Sequence, residues 1–545
     1  MRADPDVIVI GAGPNGLVAA AVLAQAGLQV LVLEANATIG GGVRSAEVTL
    51  PGFRHDTHSG FYPLFPVGPI GKLPLADYGL EWCHWPRPYG GGTPAGPGVA
   101  QERTPGETAA IFERACPGDG AGWRELYGWW EWARPALLSL LFNPLGHAAP
   151  LAHGASLLRS PRRLLEFAQL SVSPALAVAQ RVFAGEDAGV WFMGSALHSD
   201  LGPEDAGGGA FCLLLAALGQ EVGMPIPRGG ARAIPDALRR LIEAYNGLVL
   251  TEQRVERIVV RNGRAMAVRT GTDEFPARRA VLATVEPQQL FLDLAGDGAL
   301  PVDFVKLVRR FRRGSGVFKL DLALSGPPQF RSEALQGTLV LHLARSVGEL
   351  SRGVAATRRG ALPSHPLLIA GLHTLADPSR APAGCHTLWA ETHVPSRIEA
   401  DVAESITARR WSEAKLPFVE RLLDELELFA PGLRGLVLGL HAQSPDDLYA
   451  SDSNLVDGDI AGGSYTVDQQ LVFRPFPGWF KYRTPIRGLY ISGAATHPGA
   501  GVHGGPGANA ARVLLADLKI ARFSEGLEQG LGGLAGRVRR KVGLA

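Results

Sequence analysis

The N-terminal hydrophobic pattern alternates between short β-rich runs and one helical stretch. Asp6 to Ile10 (DVIVI) is an apolar run typical of a strand buried on both faces. Leu17 to Gln25 predicts a helix that Gly27 caps at its C-terminus. Gln29 to Leu33 (QVLVL) predicts a second strand, which ends at Glu34. A strand, a glycine turn, a helix and a strand within about 30 residues predict the opening of a parallel sheet.

The middle and the end of the chain follow other patterns. Residues 76–225 predict helical segments rich in aromatic side chains, and Ile234 to Tyr245 carries an apolar stripe at helical spacing. Four β-rich runs then follow, with the hairpin signal Asn262-Gly263 between two of them: Leu248 to Thr251, Val255 to Arg261, Ala265 to Thr270 and Arg279 to Thr284. We predict that they form an inserted β-meander. The last strand is expected at Gly488 to Ser492, before a helix from about Ala508 to Leu518.

Composition and charge narrow the class of protein. A chain of 545 residues is too long for one simple core, which predicts two or more domains. Apolar residues make up 46% and charged residues 19%, as in globular proteins, and a net charge of +1 gives no indication of a nucleic-acid partner. No apolar run reaches about 18 residues, so no transmembrane helix is predicted, while contact with a membrane surface stays open.

The cysteines and the N-terminus bear on compartment and on redox chemistry. Cys83, Cys116, Cys212 and Cys385 form no CxxC pair, so neither a redox disulfide nor a metal site is expected. Scattered reduced thiols fit a cytosolic protein. The N-terminal residues lack the pattern of a signal peptide. We therefore expect a cytoplasmic protein, with peripheral membrane contact left open.

The glycine turn GAGPNG after the first strand carries the first chemical signal. Gly11 permits the tight turn, Gly13 lets the backbone approach a pyrophosphate, and Gly16 lets the helix and the strand pack closely. The free N–H groups at the helix N-terminus then favour an anion. Glu34 stands where a carboxylate accepts hydrogen bonds from ribose hydroxyls. Together these residues predict dinucleotide binding.

Two further glycine loops add to this signal. In IGGGVRS, Gly41 and Gly42 suit a backbone that passes close to a ligand, and Arg44 can complement the charge of a pyrophosphate. The late segment GAATHPGAGVHGGPG follows a strand, precedes a helix and contains His497 and His503. Its glycines can bring a helix N-terminus to a flavin edge where reduction builds negative charge.

A cofactor bound from both ends of a long chain favours FAD over a transient nicotinamide. The predicted fold is α/β: a Rossmann-like FAD-binding domain of the glutathione-reductase-2 type, built from discontinuous segments, with an inserted mixed α+β substrate domain. The FAD-binding segments are expected at 1–75, 226–285 with the meander, and 471–522. The substrate domain is expected at 76–225 and 286–470, and a flexible or amphipathic tail at 523–545.

The chain resembles, along nearly its whole length, the phytoene desaturase-like branch of FAD-dependent oxidoreductases and the related PYROXD2-like proteins. The likeness rests on VIVIGAGPNGLVAAAVLAQAG, LEANATIGGGVRS, LPGFRHDTHSG, IPRGGARAIPDAL and GLYISGAATHPGAGVHG. It implies that the first glycine turn holds the pyrophosphate, that Glu34 holds the adenosine ribose and that the backbone of Val255 meets the adenine. The full expected cofactor set is Gly11, Gly13, Pro14, Asn15, Gly16, Glu34, Ala35, Gly41, Gly42, Val43, Arg44, Val255, Gly493, Ala494, Gly501, Val502, His503 and Gly504.

Such an enzyme moves a hydride from a C–H bond of a small apolar, isoprenoid or carotenoid-like substrate to flavin N5. No complete second nucleotide fold lies mid-chain, so we expect reoxidation by O₂, a quinone or another external acceptor. The candidate catalytic residues are His503, His55, Asp56 and His58, with His198 a similar candidate.

Three alternatives stay open: an amine oxidase-type enzyme, a flavin-binding regulatory protein without turnover, and NAD in place of FAD. An amine oxidase often has a flavin-proximal lysine and an aromatic cage, which the sequence alone does not locate.

Overall fold

The parallel sheet is assembled from five strands that come from widely separated parts of the chain. The computed structural model describes residues 4–519. The strands lie in the order Leu489–Ile491, Ala280–Ala283, Val7–Ile10, Val30–Leu33 and Leu248–Leu250, and every neighbouring pair is parallel. The predicted α/β class and the discontinuous nucleotide-binding fold are confirmed.

Helices cover one face of this sheet. Pro14–Gln25 and Ala233–Ala244 pack against each other and share one apolar core with the sheet. The stripe predicted from the sequence in the second helix is buried there. Residues 505–519 are helical as well and contribute Leu514 to the same core. The last strand and the first glycine turn are thereby held in one packed unit.

The other face carries a three-stranded antiparallel sheet, which corrects the predicted meander. It consists of Val255–Arg261, Arg264–Thr270 and Glu274–Pro276, and Asn262 and Gly263 form its first hairpin turn with positive φ angles. The runs Leu248–Leu250 and Ala280–Ala283 belong to the parallel sheet instead. The second of these is buried at all four positions, as a strand covered on both sides requires, whereas Arg264–Thr270 alternates between exposed and buried residues.

A seven-stranded sheet forms the second body of the protein. Its order is Val437–Gln443, Gly316–Leu324, His386–Val394, Leu368–Gly371, Val340–Leu343, Tyr89–Gly92 and Val99–Ala100. Only the pair Val340–Leu343 and Tyr89–Gly92 is parallel. Phe318, Leu320 and Leu322 point to one face, where the helix Trp411–Phe429 covers them. The opposite face borders the cavity described below.

Helices rich in aromatic residues close the other side of that cavity, as the pattern of residues 76–225 predicts. Trp123, Trp130 and Trp191 are fully buried in their core. These helices are Pro105–Ala115, Asp119–Phe142, Ala148–Leu157, Pro161–Val172, Ala175–Val182, Glu186–Gly194 and Gly208–Glu221.

The remaining α-helices among the described residues are Val302–Arg309, Val347–Arg358, His373–Ala376, Leu433–Leu436 and Pro445–Ser451. Two-residue strands pair as Ser45–Ala46 with His55–Asp56, Trp82–Cys83 with Ile226–Pro227, and Ala361–Leu362 with Ala400–Asp401.

The segment boundaries expected from the sequence stay a prediction. The expected amphipathic or flexible tail from Phe523 lies outside the described residues. Within residues 4–519, none of the helices combines the length and the apolar character needed to span a bilayer.

Candidate functional site

A cavity of about 580 Å³ lies between the carboxyl edge of the parallel sheet and one face of the seven-stranded sheet. Such a volume is in the usual range for a cofactor and substrate site. Its wall contains most of the residues expected from the sequence, and the fold brings them together from both ends of the chain. Those residues are Gly11, Gly13, Pro14, Asn15, Gly16, Glu34, Ala35, Gly41, Gly42, Val43, His58, Val255, Gly493, Ala494, Gly501 and Val502.

The first glycine turn has the geometry of a phosphate cradle. Gly11 has φ +95°, and a Cβ there would lie 2.6 Å from Oγ1 of Thr284. Gly13 is the N-cap of the helix Pro14–Gln25, with no side-chain cap and no acidic residue in the first turn. A Cβ on Gly41 would lie 3.1 Å from the Cα of Gly13, so the two glycine loops touch. The uncapped helix end therefore offers N–H groups to an anion in the cavity.

Glu34 is fixed at the end of the second strand, at the wall of the cavity. Ala12 N–H donates to its Oε2 (2.8 Å) and Asn36 N–H donates to its Oε1 (2.9 Å). The net pKa of Glu34 is raised, because burial and the charge of Asp452 outweigh these two hydrogen bonds, which lower it. Each carboxylate oxygen keeps a free lone pair that can accept from a ribose hydroxyl.

Arg44 does not line the cavity, and its expected contact with the pyrophosphate stays a prediction. Its Nε donates to the carbonyl of Gly41 (2.7 Å) and its Nη2 to the carbonyl of Ser451 (3.0 Å). The guanidinium thereby ties the glycine loop to the end of the helix Pro445–Ser451. Its role in the structure is to hold the loop that approaches the cofactor.

His503 is fully occupied inside the late glycine loop. Gly505 N–H donates to its Nδ1 (3.0 Å), so Nε2 carries the proton and donates to the carbonyl of Ala500 (3.1 Å). Neither His503 nor Gly504 is part of the cavity wall. Because both ring nitrogens are bonded to backbone, the geometry gives no support to a catalytic or flavin-contacting His503. His497 is similarly engaged through Nε2 with the carbonyl of Leu140 (2.9 Å).

Asp56 and His55 lie behind the cavity wall. Arg380 Nη1 donates to Asp56 Oδ2 (2.6 Å), and the N–H of Ala231 donates to Oδ1 (2.8 Å). Burial raises the pKa of Asp56, but the charge and hydrogen bond of Arg380, the neighbouring His373 and the N–H of Ala231 together outweigh burial, and the net pKa is lowered. Nε2 of His55 is bonded to the hydroxyl of Thr49 (2.8 Å). The sequence suggested acid–base chemistry for these two residues; the structure instead places Asp56 in a buried ion pair with Arg380, while His55 contacts Thr49 and has its Nδ1 3.5 Å from Asp321.

His58 does line the cavity, but as a neutral group. Its Nδ1 lies 3.0 Å from Thr57 Oγ1 and its Nε2 lies 3.1 Å from Ser451 Oγ. Burial, followed by the charges of Arg44 and Lys319, lowers the pKa of His58 to about 3. It can hold a polar group in place, but it is not a base near neutral pH.

The sequence analysis missed a cross-strand row of mostly polar residues on the sheet face that borders the cavity and forms its floor. Residues opposite one another on adjacent strands share a face of the sheet. Pairing joins Gln443 to Lys319, Lys319 to Glu391, Glu391 to Ile369 and Ile369 to His342. Lys319 and Glu391 line the cavity. Lys319 is also ion-paired with Asp321, which lies two positions further along the same strand. The row depends on strand register, so no local motif could have indicated it.

Glu391 is the unusual member of this row. It is 7% exposed, and no described residue hydrogen-bonds to its carboxyl group. Burial raises its pKa to about 7, with Lys319 acting in the opposite direction. Trp389 lies beside it, with Lys319 Nζ 5.5 Å from the centre of the ring. The floor therefore presents Lys319 and a carboxyl group of raised pKa beside apolar side chains such as Val317 and Trp389.

The residues at the nucleotide end fit FAD. The touching glycine loops and the uncapped helix suit its pyrophosphate, and Glu34 suits its ribose. From there the cavity continues past Gly493 to the late loop at Gly501 and Val502. That length of wall suits a cofactor that extends beyond its nucleotide half.

Comparison with known proteins agrees with this geometry. Residues 9–66 match the NAD(P)-binding Rossmann-like domain family, and residues 151–514, more than half of the chain, match the family described as flavin containing amine oxidoreductase. The chain belongs to the flavin-containing amine oxidoreductase family. It is an FAD-dependent oxidoreductase of the PYROXD2-like and phytoene desaturase-like group, as the sequence predicts, and the NAD alternative is not supported.

Individual relatives cover almost the whole chain. Pyridine nucleotide-disulfide oxidoreductase domain-containing protein 2 of Rattus norvegicus is 28% identical over 95% of this chain and 94% of its own. A component of the limonene dehydrogenase of Castellaniella defragrans is 25% identical over 94% of this chain and 95% of its own. Phytoene dehydrogenase of Streptomyces griseus is 27% identical over 91% and 92%. An oxidoreductase structure from Methanosarcina mazei shares the fold, with a TM-score of 0.59, 20% identity and coverage of 94% and 99%.

Proposed function

We propose that this FAD-dependent oxidoreductase dehydrogenates an apolar, isoprenoid-like substrate and passes the electrons to an acceptor that is not a tightly bound nicotinamide. The observation that carries the proposal is the wall of the cavity beyond the nucleotide end. Its side chains there are mostly apolar, and they come from the aromatic helices, the segment around residue 61 and the seven-stranded sheet: Phe61, Leu64, Phe211, Leu215, Met224, Val317, Val340 and Trp389. A wall of this kind favours an apolar molecule.

Contacts link this apolar wall to the late glycine loop. A Cβ on Gly501 would lie 2.7 Å from Cδ1 of Leu64. Phe211 packs edge-on against Tyr465 at 5.8 Å, and Tyr465 accepts from the N–H of Ala500 (2.5 Å). An apolar substrate in this part of the cavity would therefore lie against the loop expected at the flavin.

Bound FAD supplies the oxidant, because its isoalloxazine accepts a hydride from a C–H bond. The residues of this chain orient the substrate and exclude water. Leu215, Met224 and Val340 are buried and form an apolar part of the wall. Dehydrogenation also releases a proton from the substrate, and Glu391 in the cavity wall can accept it because its pKa is raised to about 7, whereas His58, with a pKa of about 3, is a weaker acceptor. Positioning is thus the main contribution that we assign to the protein.

The proposal for the electron acceptor rests on the architecture. Among residues 4–519 there is one parallel nucleotide-type sheet, and the second body is a mixed sheet of different topology. A second dinucleotide domain would favour a bound nicotinamide. Its absence from the described part of the chain favours O₂, a quinone or another external acceptor. The name of the limonene dehydrogenase component supports the isoprenoid class.

The test is anaerobic bleaching of the flavin by candidate donors. We expect limonene, phytoene or an isoprenoid alcohol in detergent to reduce the bound flavin, and putrescine or benzylamine to leave it oxidised. Leu215→Phe narrows the cavity and is expected to slow bleaching at least tenfold while the flavin content stays normal. Leu214→Phe is the matched control, because Leu214 lies on the same helix outside the cavity wall.

Three outcomes would contradict the proposal. Reduction by amines but by none of the isoprenoids would favour the amine oxidase-type alternative. Flavin that stays oxidised with every donor would favour a binding protein without turnover. If Leu215→Phe and Leu214→Phe slowed flavin bleaching equally, the apolar wall would not be the substrate-binding surface.

A further inference from the structure

A pair of histidines, one half-buried and one fully buried, connects the cavity wall to the interior. His198 ends the short turn Ser195–His198, which packs against the helix that carries Phe211 and Leu215. His198 lines the cavity, whereas His342 is completely buried behind it. Their Nε2 atoms lie 2.9 Å apart, so one of the two must donate a hydrogen bond to the other.

The hydrogen bonds around His342 decide which one donates. Nδ1 of His342 lies 3.0 Å from the carbonyl oxygen of Trp191, which can only accept, so Nδ1 carries the proton. In the neutral ring, Nε2 of His342 then holds a lone pair. His198 must therefore donate through its own Nε2. The hydroxyl of Tyr89, 3.1 Å from Nδ1 of His342, can donate to Ser195 Oγ (2.5 Å) and so leaves this assignment unchanged.

This chain of donors leaves Nδ1 of His198 as an unprotonated acceptor. No hydrogen bond from the described residues reaches that nitrogen, and it is not one of the fully buried side-chain atoms that lack a partner, so it stays accessible from the cavity. Burial, and then the neighbouring His342 and His393, hold the pKa of His198 well below its usual range. Burial likewise lowers the pKa of His342 to about 4. Both rings are thus neutral near pH 7, and the acceptor remains available in an apolar section of the wall.

We infer that the substrate of this enzyme is an apolar alcohol whose hydroxyl group donates a hydrogen bond to Nδ1 of His198. The inference rests on the proposed function and adds the polar group that the apolar wall alone does not specify. His342 acts as a positioning residue, because it fixes the tautomer of His198. An unsatisfied acceptor in an apolar cavity favours a ligand that brings a donor and disfavours the matching hydrocarbon.

The experiment compares an isoprenoid alcohol with its hydrocarbon in the flavin-loaded protein. Geraniol and the same skeleton without the hydroxyl are titrated anaerobically into protein whose flavin has already been reduced with dithionite, and the change in tryptophan fluorescence measures binding without turnover. We expect the alcohol to bind about tenfold more tightly than the hydrocarbon. His198→Phe keeps a ring but removes the acceptor, and it is expected to reduce this preference to about one. His198→Asn places an amide oxygen near the Nδ1 position and is expected to retain most of it.

The outcomes separate this inference from the proposed function. If both ligands bind equally to the wild type, or if His198→Phe keeps the preference, the assignment of the hydroxyl site is wrong while the apolar class stands. If neither ligand binds and neither reduces the flavin, the proposed function itself fails. A folded His198→Phe variant with normal flavin content shows that the comparison is valid.

A second, independent observation concerns the outer surface. Two successive helices, Ala148–Leu157 and Pro161–Val172, leave large apolar side chains in solvent at a spacing of seven residues. These are Leu151, Leu158, Leu165 and Val172, which are 68%, 63%, 72% and 63% exposed; we call them the leucine patch. Leu165 and Val172 lie on the side of their helix opposite the buried Phe167 and Leu170. The first helix buries none of its residues.

The charges beside the patch point to an anionic surface. Arg159, Arg162 and Arg163 lie between the two helices or in the first turn of the second, and Glu166 is the sole acid from residue 148 to residue 173. Exposed leucines flanked by arginines are typical of helices that lie in the interface of an anionic bilayer. The second helix also packs on Gly208–Glu221, which lines the cavity. The geometry points to a peripheral docking surface for anionic lipid, one helix away from the apolar wall.

Vesicle flotation of the full-length protein tests this surface. We expect binding to vesicles that contain phosphatidylglycerol and at least fivefold weaker binding to pure phosphatidylcholine. Replacing Leu151, Leu165 and Val172 by Ser is expected to abolish flotation. The matched control replaces Val302, Leu416 and Leu438, which are equally apolar and exposed elsewhere, by Ser and is expected to float normally.

Three results would overturn the docking surface. One is equal flotation of the two triple variants. Another is a wild type that forms a dimer without lipid which only the patch variant loses, because the patch would then bind a second copy of the chain. The third is a wild type that does not float until residues 523–545 are removed, because that segment would then be the occupant.

Discussion

Glu391 on the cavity floor predicts how the stability of the protein changes with pH, in both direction and size. Glu391→Gln replaces the group by an amide of the same shape that stays neutral at every pH. In the wild type, Glu391 is buried with no hydrogen-bond partner among the described residues, and its pKa is raised to about 7 from the ordinary 4.5. Folding therefore favours its protonated form. This favourable contribution is complete below pH 4.5 and is lost as the pH rises through about 7.

The size follows from the two pKa values. A shift from 4.5 to about 7 corresponds to roughly 3 kcal/mol, and about 2–3 kcal/mol of this develops between about pH 5 and pH 8. The wild type loses that stability over this range, whereas Glu391→Gln does not. For a chain of this length the melting temperature of the variant should rise relative to the wild type by about 2–3 °C. The ion pair of Lys319 with Asp321 is present in both proteins and cancels in the comparison.

The assay is thermal unfolding of the flavin-loaded protein, followed by flavin fluorescence at a fixed scan rate from pH 5 to pH 8.5. The quantity of interest is the difference in melting temperature between variant and wild type at each pH. Glu256→Gln is the control, because Glu256 is exposed on the strand Val255–Arg261, and its difference should stay flat. A flat difference for Glu391→Gln, or one that falls with pH, would refute the assignment of a neutral acid to the cavity floor.

Three further predictions address other parts of the molecule. Gly13→Glu should abolish flavin retention, because it places a carboxylate at the uncapped helix end. Gly13→Ala should keep most of the flavin, because φ at this position is −70° and an added Cβ would meet its nearest neighbour at 3.9 Å. Equal ratios of absorbance at 450 nm to absorbance at 280 nm in the two purified variants would contradict this prediction. Arg380→Leu should lower the free energy of unfolding in urea by about 3–5 kcal/mol, because it leaves Asp56 as an unpaired buried charge; a loss below about 1 kcal/mol would show that the network contributes little. His503→Ala should weaken FAD binding by freeing the late loop without shifting the pH profile of flavin reduction, and a shifted profile would restore a catalytic role for His503.

The parts of the site that sequence analysis identified are those specified by local backbone chemistry. Gly11 must be glycine at φ +95°, and Gly13 must leave the helix end uncapped, so both constraints are written within a few residues. The strand before them and Glu34 after the next strand follow from the same short unit. The late loop has the same kind of local signature, with Gly499 and Gly501 at positive φ.

The remainder depends on contacts between distant residues. Asp56 looked like a candidate acid because its partner Arg380 lies 324 positions away and supplies the charge that explains it. Lys319 and Glu391 meet only through the register of two long antiparallel strands, which no single-sequence pattern specifies. The meander was predicted too broadly because short apolar runs such as Leu248–Leu250 fit a hairpin or a parallel sheet equally well until their neighbours are known.

The placement of the outermost strand of the parallel sheet has a consequence for biosynthesis. Leu489–Ile491 pairs with Ala280–Ala283, which in turn pairs with the first strand of the protein. A growing chain on the ribosome thus displays its first glycine turn well before the strand Leu489–Ile491 and the late loop have been made. We expect FAD loading to follow synthesis of the late loop, and a chain truncated before Leu489–Ile491 to leave the strand Ala280–Ala283 as an exposed sheet edge that chaperones and proteases can detect.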